Sequence, residues 1–177
     1  MILDNNILAL PEHFFIIADQ LKKEKLKVDF NQGMDCRLLT DKICQEIFLL
    51  KYIDTIRFAF DDIAYKPVVK KALKMLKRNG LKSSQTRWYV YVGVKDTVET
   101  VMERINILRD EEQLTFLMRD KDERVQSNPI FSEIYSWTCC VPVYMTKPYK
   151  HGIMQECVNL SKHKNNTLPL FDKDKSE

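Results

Sequence analysis

The chain has 177 residues, of which 45% are hydrophobic and 30% charged, and a net charge of +3. This is enough apolar material for one domain with a buried core, and too little net charge to imply a nucleic-acid partner by itself. No apolar stretch approaches the roughly 20 residues needed to cross a bilayer, no basic-then-apolar segment opens the sequence, and five cysteines, an odd number, do not make a disulfide scaffold, so a reducing cytoplasm is expected.

In chain order, the first apolar run, Met1-Ile2-Leu3, is too short for a full strand and ends in Asp4-Asn5-Asn6. Leu10-Pro11-Glu12 then opens a helix, because proline in the first turn gives up an N–H that has no partner there. Phe14, Ile17, Ala18 and Leu21 form its apolar stripe. An apolar run from Leu26 to Phe30 ends in Asn31-Gln32-Gly33. A second helix from about Thr40 carries Ile43, Ile47 and Leu50. The next run, Thr55 to Phe60, ends in Asp61-Asp62. A third helix with Val69, Ala72, Leu73 and Leu76 stops at Asn79-Gly80, a C-terminal cap.

The run from Trp88 to Val94 contains Gly93 and leads to Asp96, where a fourth helix begins with Val101, Ile105 and Leu108 turned inward. Asp96 and Glu99 have the spacing of a helix cap and its third residue. Leu114 to Met118 is the last clear strand. Asp120 to Asn128 reads as a loop, and Pro129 to Tyr144 as a short helix with an irregular apolar segment capping one end of the sheet. The region 161–177 reads as a disordered tail.

The strand runs are nearly continuous in apolar residues, which predicts strands covered on both faces. The alternation of strand and helix predicts an α/β fold with a parallel sheet and right-handed crossovers. In such folds ligands bind at the carboxyl ends of the strands. Those ends carry the polar residues here: Asp4 and Asn5; Gln32, Gly33, Asp35 and Arg37; Asp61 and Asp62; Gly93. Arg37 offers a guanidinium fork for a carboxylate, or else an ion pair to Asp35. Two adjacent carboxylates can act as acid and base, or one can cap the next helix. Glycine at position 93 lets backbone approach a planar ligand. His13 reads as a surface or packing residue.

Read together, Leu3-Asp4-Asn5-Asn6, Phe30 to Leu39, Phe58-Ala59-Phe60-Asp61-Asp62 and Tyr89 to Glu99 resemble, in order and spacing, the radical S-adenosylmethionine superfamily from its third barrel strand onward. The resemblance covers about residues 1 to 120 and rests on four motifs, one per unit. It implies a partial parallel (β/α) barrel of four to five units, truncated at its N-terminus, with a capping segment at 121–160. It further implies a parent enzyme that binds a [4Fe-4S] cluster through C-x-x-x-C-x-x-C and cleaves S-adenosylmethionine reductively to a 5′-deoxyadenosyl radical, which takes hydrogen from a substrate. Asp4, Asn5, Gln32, Gly33, Asp35, Arg37, Asp61 and Gly93 would then face cofactor or substrate.

The sequence departs from the family by lacking C-x-x-x-C-x-x-C. The chain therefore reads as the later part of a longer enzyme, with no catalytic residue assigned, no metal ligands of its own and no cofactor expected on it alone. An exposed sheet edge predicts self-association. The alternative is a stand-alone α/β binding module that pairs through that edge. Cys139, Cys140, His151 and Cys157 match no metal-ligand spacing and read as ordinary residues. No acid occurs between Asp62 and Asp96, whereas Lys66, Lys70, Lys71, Lys74, Lys77, Arg78, Lys82 and Arg87 do. A solvated outer helix face is preferred here over an RNA-contacting stripe.

Overall fold

The structure, a computed structural model, describes residues 6–153 and 155. Asp4, Asn5, Cys157 and the expected tail lie outside the described residues. Strands and helices alternate as α1 (Pro11–Lys23), β1 (Lys27–Val28), α2 (Asp41–Leu49), β2 (Lys51–Tyr52), β3 (Ile56–Ala59), α3 (Lys66–Arg78), β4 (Thr86–Val92), α4 (Val98–Asp110) and β5 (Leu114–Arg119). Three short helices follow: α5 (Glu123–Gln126), α6 (Pro129–Cys139) and α7 (Val141–Thr146).

All described strand pairs are parallel. β1 lies beside β2, and β3, β4 and β5 form a second sheet in that order. The two sheets keep one register. Lys27 faces Lys51, Val28 faces Tyr52 and the isolated bridge sets Met34 opposite Phe58, with the same separation along the chain each time. The ladder is thus one strand pair opened in its middle. The Arg57 guanidinium fills the opening, donating to the Phe30 carbonyl (3.2 Å), to Asp54 (2.7 Å) and to Asp29.

Burial alternates along the strands, which corrects the expectation that both faces are covered. In β4 the residues Thr86, Trp88, Val90 and Val92 are buried, whereas Arg87 and Tyr89 are half-buried and Tyr91 is exposed. Phe58 and Leu117 are fully buried neighbours of the same face. Tyrosine, arginine and methionine occupy the alternate positions, and their apolar stems hid the alternation in the sequence.

The first four helices lie side by side in a single layer. One ion pair joins each neighbour to the next: Lys22 of α1 to Glu46 of α2, Asp41 of α2 to Arg78 of α3 (2.5 Å), and Lys66 of α3 to Glu103 of α4 (2.7 Å). Strands that advance in one direction through right-handed crossovers put their helices on one face. The buried face of the sheet carries Phe58, Trp88 and Leu117.

Local chemistry sets the helix ends. Thr40 caps α2 by accepting from the Ile43 amide (3.2 Å). The cap of α4 is Thr97, paired reciprocally with Thr100 (3.3 and 3.1 Å), one residue later than the expected Asp96–Glu99 pair. Asp96 is diverted because its carboxylate accepts from the Gly93 amide (2.8 Å) and from Arg104.

At their exits α1, α3 and α4 repeat one motif. The amides of Leu26, Leu81 and Gln113 return to the carbonyls of Leu21, Leu76 and Leu108 (2.9, 3.1 and 2.9 Å). The residue before each amide is left-handed: Lys25 at φ 54°, Gly80 at φ 90° and Glu112 at φ 57°. Only Gly80 adopts this conformation without cost. Glu112→Gly is therefore expected to stabilise the protein by about 0.5–1 kcal/mol, the steric relief exceeding the added unfolded-state entropy, as read from urea denaturation.

The segment after β5 is more ordered than a loop. Asp120–Asn128 contains α5, and Pro129 to Thr146 forms α6 and α7 rather than one helix and an irregular stretch. These helices enclose the free side of β5 from both faces. Tyr135 meets Phe116 on one face at 5.6 Å between ring centroids, and the Tyr144 hydroxyl lies 2.7 Å from the Thr115 hydroxyl on the other. Trp137, fully buried, packs on Tyr144 and Tyr149.

Candidate functional site

The carboxyl end of β3 is where the expected residues converge. Met34 bonds to β3 through its amide (Arg57 carbonyl, 2.7 Å) and its carbonyl (Ala59 amide, 3.3 Å), so the segment that follows it lies over the strand end. A cavity of about 230 Å³ opens there, lined by Gly33, Asp35, Arg37 and Asp61 together with Asn6, Cys36, Ala59 and Tyr65. A Cβ on Gly33 would stand 3.3 Å from the Tyr89 ring and 3.6 Å from the Ala59 Cβ, so glycine is what lets the loop lie this close to the strands.

Arg37 is held firmly. Its Nε and Nη2 donate to the Asp35 carboxylate at 2.6–2.9 Å, Nη1 donates to the Tyr65 hydroxyl (3.0 Å), and the guanidinium carbon sits 4.7 Å from the centre of the Tyr65 ring. The Asp35 carboxylate also accepts from the Arg37 amide (2.9 Å), closing a short turn. These bonds keep the Asp35 carboxyl below the ordinary carboxylate range. Two of the five guanidinium N–H groups remain outside these contacts.

Asp61 and Asp62 divide their tasks. The Asp62 carboxylate accepts from the Ala64 amide (2.8 Å) and starts the next turn. Asp61 stands in the cavity lip, where the protein around its carboxyl displaces water and raises its pKa above the ordinary carboxylate value; the Tyr91 amide and the Arg104 guanidinium pull the other way. The Cys36 thiol in the same wall is 4% exposed and pushed up to about 12 by burial, so it is not a thiolate nucleophile near neutral pH.

Arg104 is the group that the sequence reading missed. It lies on α4 between the inward residues Val101 and Ile105 and is completely buried. Its Nη1 donates to the carbonyls of Asp61 (2.6 Å) and Tyr91 (2.9 Å), Nε to the Thr100 carbonyl (3.3 Å), and Nη2 to Asp96. The ends of β3 and β4 are thereby tied to one buried cation. Its only local sign was an arginine three residues after an inward valine on a helix.

Gln32 and Gly93 do not line the cavity. Gln32 is exposed. The space where a Cβ of Gly93 would lie is 3.0 Å from the ring of Tyr91, so the close neighbour of this glycine is its own chain. A larger cavity of about 360 Å³ lies at the opposite, amino end of the strands, near Gly80, Thr86 and Gln113. Its buried polar groups satisfy one another, with Gln113 Oε1 accepting from Thr86 (2.5 Å) and from the Trp88 indole (3.0 Å).

The chain matches no protein-family model, no curated protein and no solved structure. Among the described residues no three His, Cys, Asp or Glu side chains gather as metal ligands, and no helix is long and apolar enough to cross a membrane. Cys139 and Cys140 are free thiols, and His151 bonds through Nδ1 to Glu133 (2.8 Å). His13 is exposed on α1. In the basic stretch, Lys66 and Arg78 are the ends of two of the interhelical ion pairs, while Lys70, Lys71 and Lys74 border a surface groove of about 470 Å³.

Proposed function

We propose that this chain forms later units of a radical S-adenosylmethionine partial barrel, and that the cavity at the end of β3 is part of its cofactor and substrate groove. The observation that carries the reading is that Gly33, Asp35, Arg37 and Asp61, from two separate motifs, meet in one cavity at the carboxyl ends of parallel strands. Neighbouring strands that follow chain order, with helices in one layer, fit a barrel wall better than a doubly wound sheet, whose strand order reverses.

The residues fit the two groups unequally. S-adenosylmethionine, when bound with its cluster, would supply the radical chemistry. Asp61 would accept hydrogen bonds from the ligand, Gly33 would admit it close to the backbone, and the spare N–H groups of Arg37 would meet a carboxylate. The [4Fe-4S] cluster does not fit this chain: Cys36 and Cys44 are buried apart, and the cysteine motif is absent from the sequence. Its ligands would come from another segment.

The deciding experiment is anaerobic reconstitution, comparing this chain with one carrying an added upstream C-x-x-x-C-x-x-C segment. Uptake of about four irons and binding of S-adenosylmethionine by the longer chain, weakened by Asp61→Asn and Arg37→Ala, is expected. Absence of both from the longer chain would reject the reading. The alternative, a binding module, draws on Leu26, Leu49 and Ile53, which are more than half exposed around the β1–β2 end. Dimers in sedimentation that dissolve on Ile53→Asp would favour it.

A carboxyl whose pKa is raised by folding destabilises the folded state when ionised. Its penalty is present above the folded pKa and vanishes below the unfolded one. Asp61→Asn is thus expected to raise the thermal midpoint slightly at neutral pH, because the residue is exposed and water screens much of the penalty, with the gain disappearing below roughly pH 4. A residue kept at a cost to stability is what a ligand site requires. No gain at neutral pH would argue against that role.

A further inference from the structure

We propose that Arg104 is a positioning residue that fixes the Asp61 carboxyl in the strand-end cavity, an inference that matters for ligand binding only if the proposed groove is correct. The side chain is fully buried and crosses from α4 to the strand ends. Its Nη1 takes the carbonyl of Asp61 itself at 2.6 Å and that of Tyr91 at 2.9 Å, and the Tyr91 amide faces the Asp61 carboxyl. One guanidinium therefore holds both the residue that carries the carboxyl and the neighbouring end of β4.

Asp96 completes the device. It accepts from Arg104 Nη2 and from the Gly93 amide, which orients the guanidinium plane and ties the turn after β4 to the same point. The charged and titratable groups around Asp61 are Arg104 from α4, with Asp96 behind it; Asp35, Cys36 and Arg37 from the loop over the strand end; Tyr91 from β4; and Asp62 beside it. Asp35 and Arg37 largely cancel as a bonded pair. Arg104 is itself paired with Asp96, so its pull on Asp61 is what that pair leaves over.

The two partners should consequently act on Asp61 with opposite signs. The midpoint of Asp61 is read by carbon NMR on the full chain with labelled aspartate, its signal assigned by its loss in Asp61→Asn. Arg104→Met should move the Asp61 midpoint upward and leave that of Asp35 in place. Asp96→Asn, which keeps an acceptor for Gly93 but removes the competing charge, should move it downward. Arg104→Lys should stay nearer the wild type than Arg104→Met, because the charge persists. General loosening of the fold would move Asp61 the same way in both variants, or move Asp35 as well, and either result overturns the proposal; so does an unchanged Asp61 in folded Arg104→Met. If Arg104→Met does not fold, Asp96→Asn decides: a downward Asp61 midpoint supports the proposal, and an unchanged or upward one overturns it. The titration needs no ligand, so a failure to bind S-adenosylmethionine would remove the groove without touching this result.

Discussion

Asp96→Ala is expected to cost about 3–5 kcal/mol of stability, because it leaves the Arg104 charge buried without its carboxylate. Arg104 is completely buried and the Asp96 side chain is 20% exposed, so water cannot readily replace the lost partner. The same change strips the Gly93 amide of its acceptor. For a chain of this size the loss corresponds to a fall of about 6–20 °C in thermal midpoint. Asp96→Asn retains a neutral acceptor and should lose less. Combining Asp96→Ala with Arg104→Met should cost less than the two single changes added together, since the second removes the orphaned charge. A loss below about 1 kcal/mol in Asp96→Ala would show that the buried cation is adequately held by carbonyls alone.

Trp88→Ala is expected to cost about 3–5 kcal/mol, as large-to-small changes of buried aromatics do. The indole is fully buried, lies 5.1 Å from the Phe58 ring between centroids, and donates to Gln113 Oε1 at 3.0 Å. Three residues along the same strand, Tyr91→Ala should cost about 1 kcal/mol or less, because that side chain is exposed and its hydroxyl meets Asp120. The contrast, measured by urea denaturation, tests the one-sided burial of the sheet. Equal losses at the two positions would mean that both faces of β4 are covered.

Local pattern made most of the helices legible. Phe14 and Ala18, Ile43 and Ile47, and Val69, Ala72, Leu73 and Leu76 are buried as their spacing predicts, and Asn79-Gly80 ends α3. The strands were harder to read. Tyr89 and Tyr91 continue the apolar run in sequence, yet in the sheet they share the open face with Arg57, Arg87 and Met118, and only packing distinguishes the two faces. The cap of α4 slipped by one residue because Asp96 is claimed by Arg104, a partner eight residues away that no capping rule considers. Arg104 itself stayed invisible, since a helix position three after an inward valine accepts either a core residue or a long polar one. In the site, the strand-end rule found Gly33, Asp35, Arg37 and Asp61, but not Tyr65, which reaches the cavity from the turn before α3.

The three ion pairs that join α1 to α2, α2 to α3 and α3 to α4 have a consequence for how such a protein fails and grows. Each unit is fastened to its immediate neighbours, so coupling along the sheet passes from one unit to the next, as in a one-dimensional chain of spins. Opening should begin at an end and propagate inward, with β4, flanked on both sides, the last strand to exchange its amides. The same architecture lets units be gained or lost at an end while the interior contacts of the remainder stay as they are.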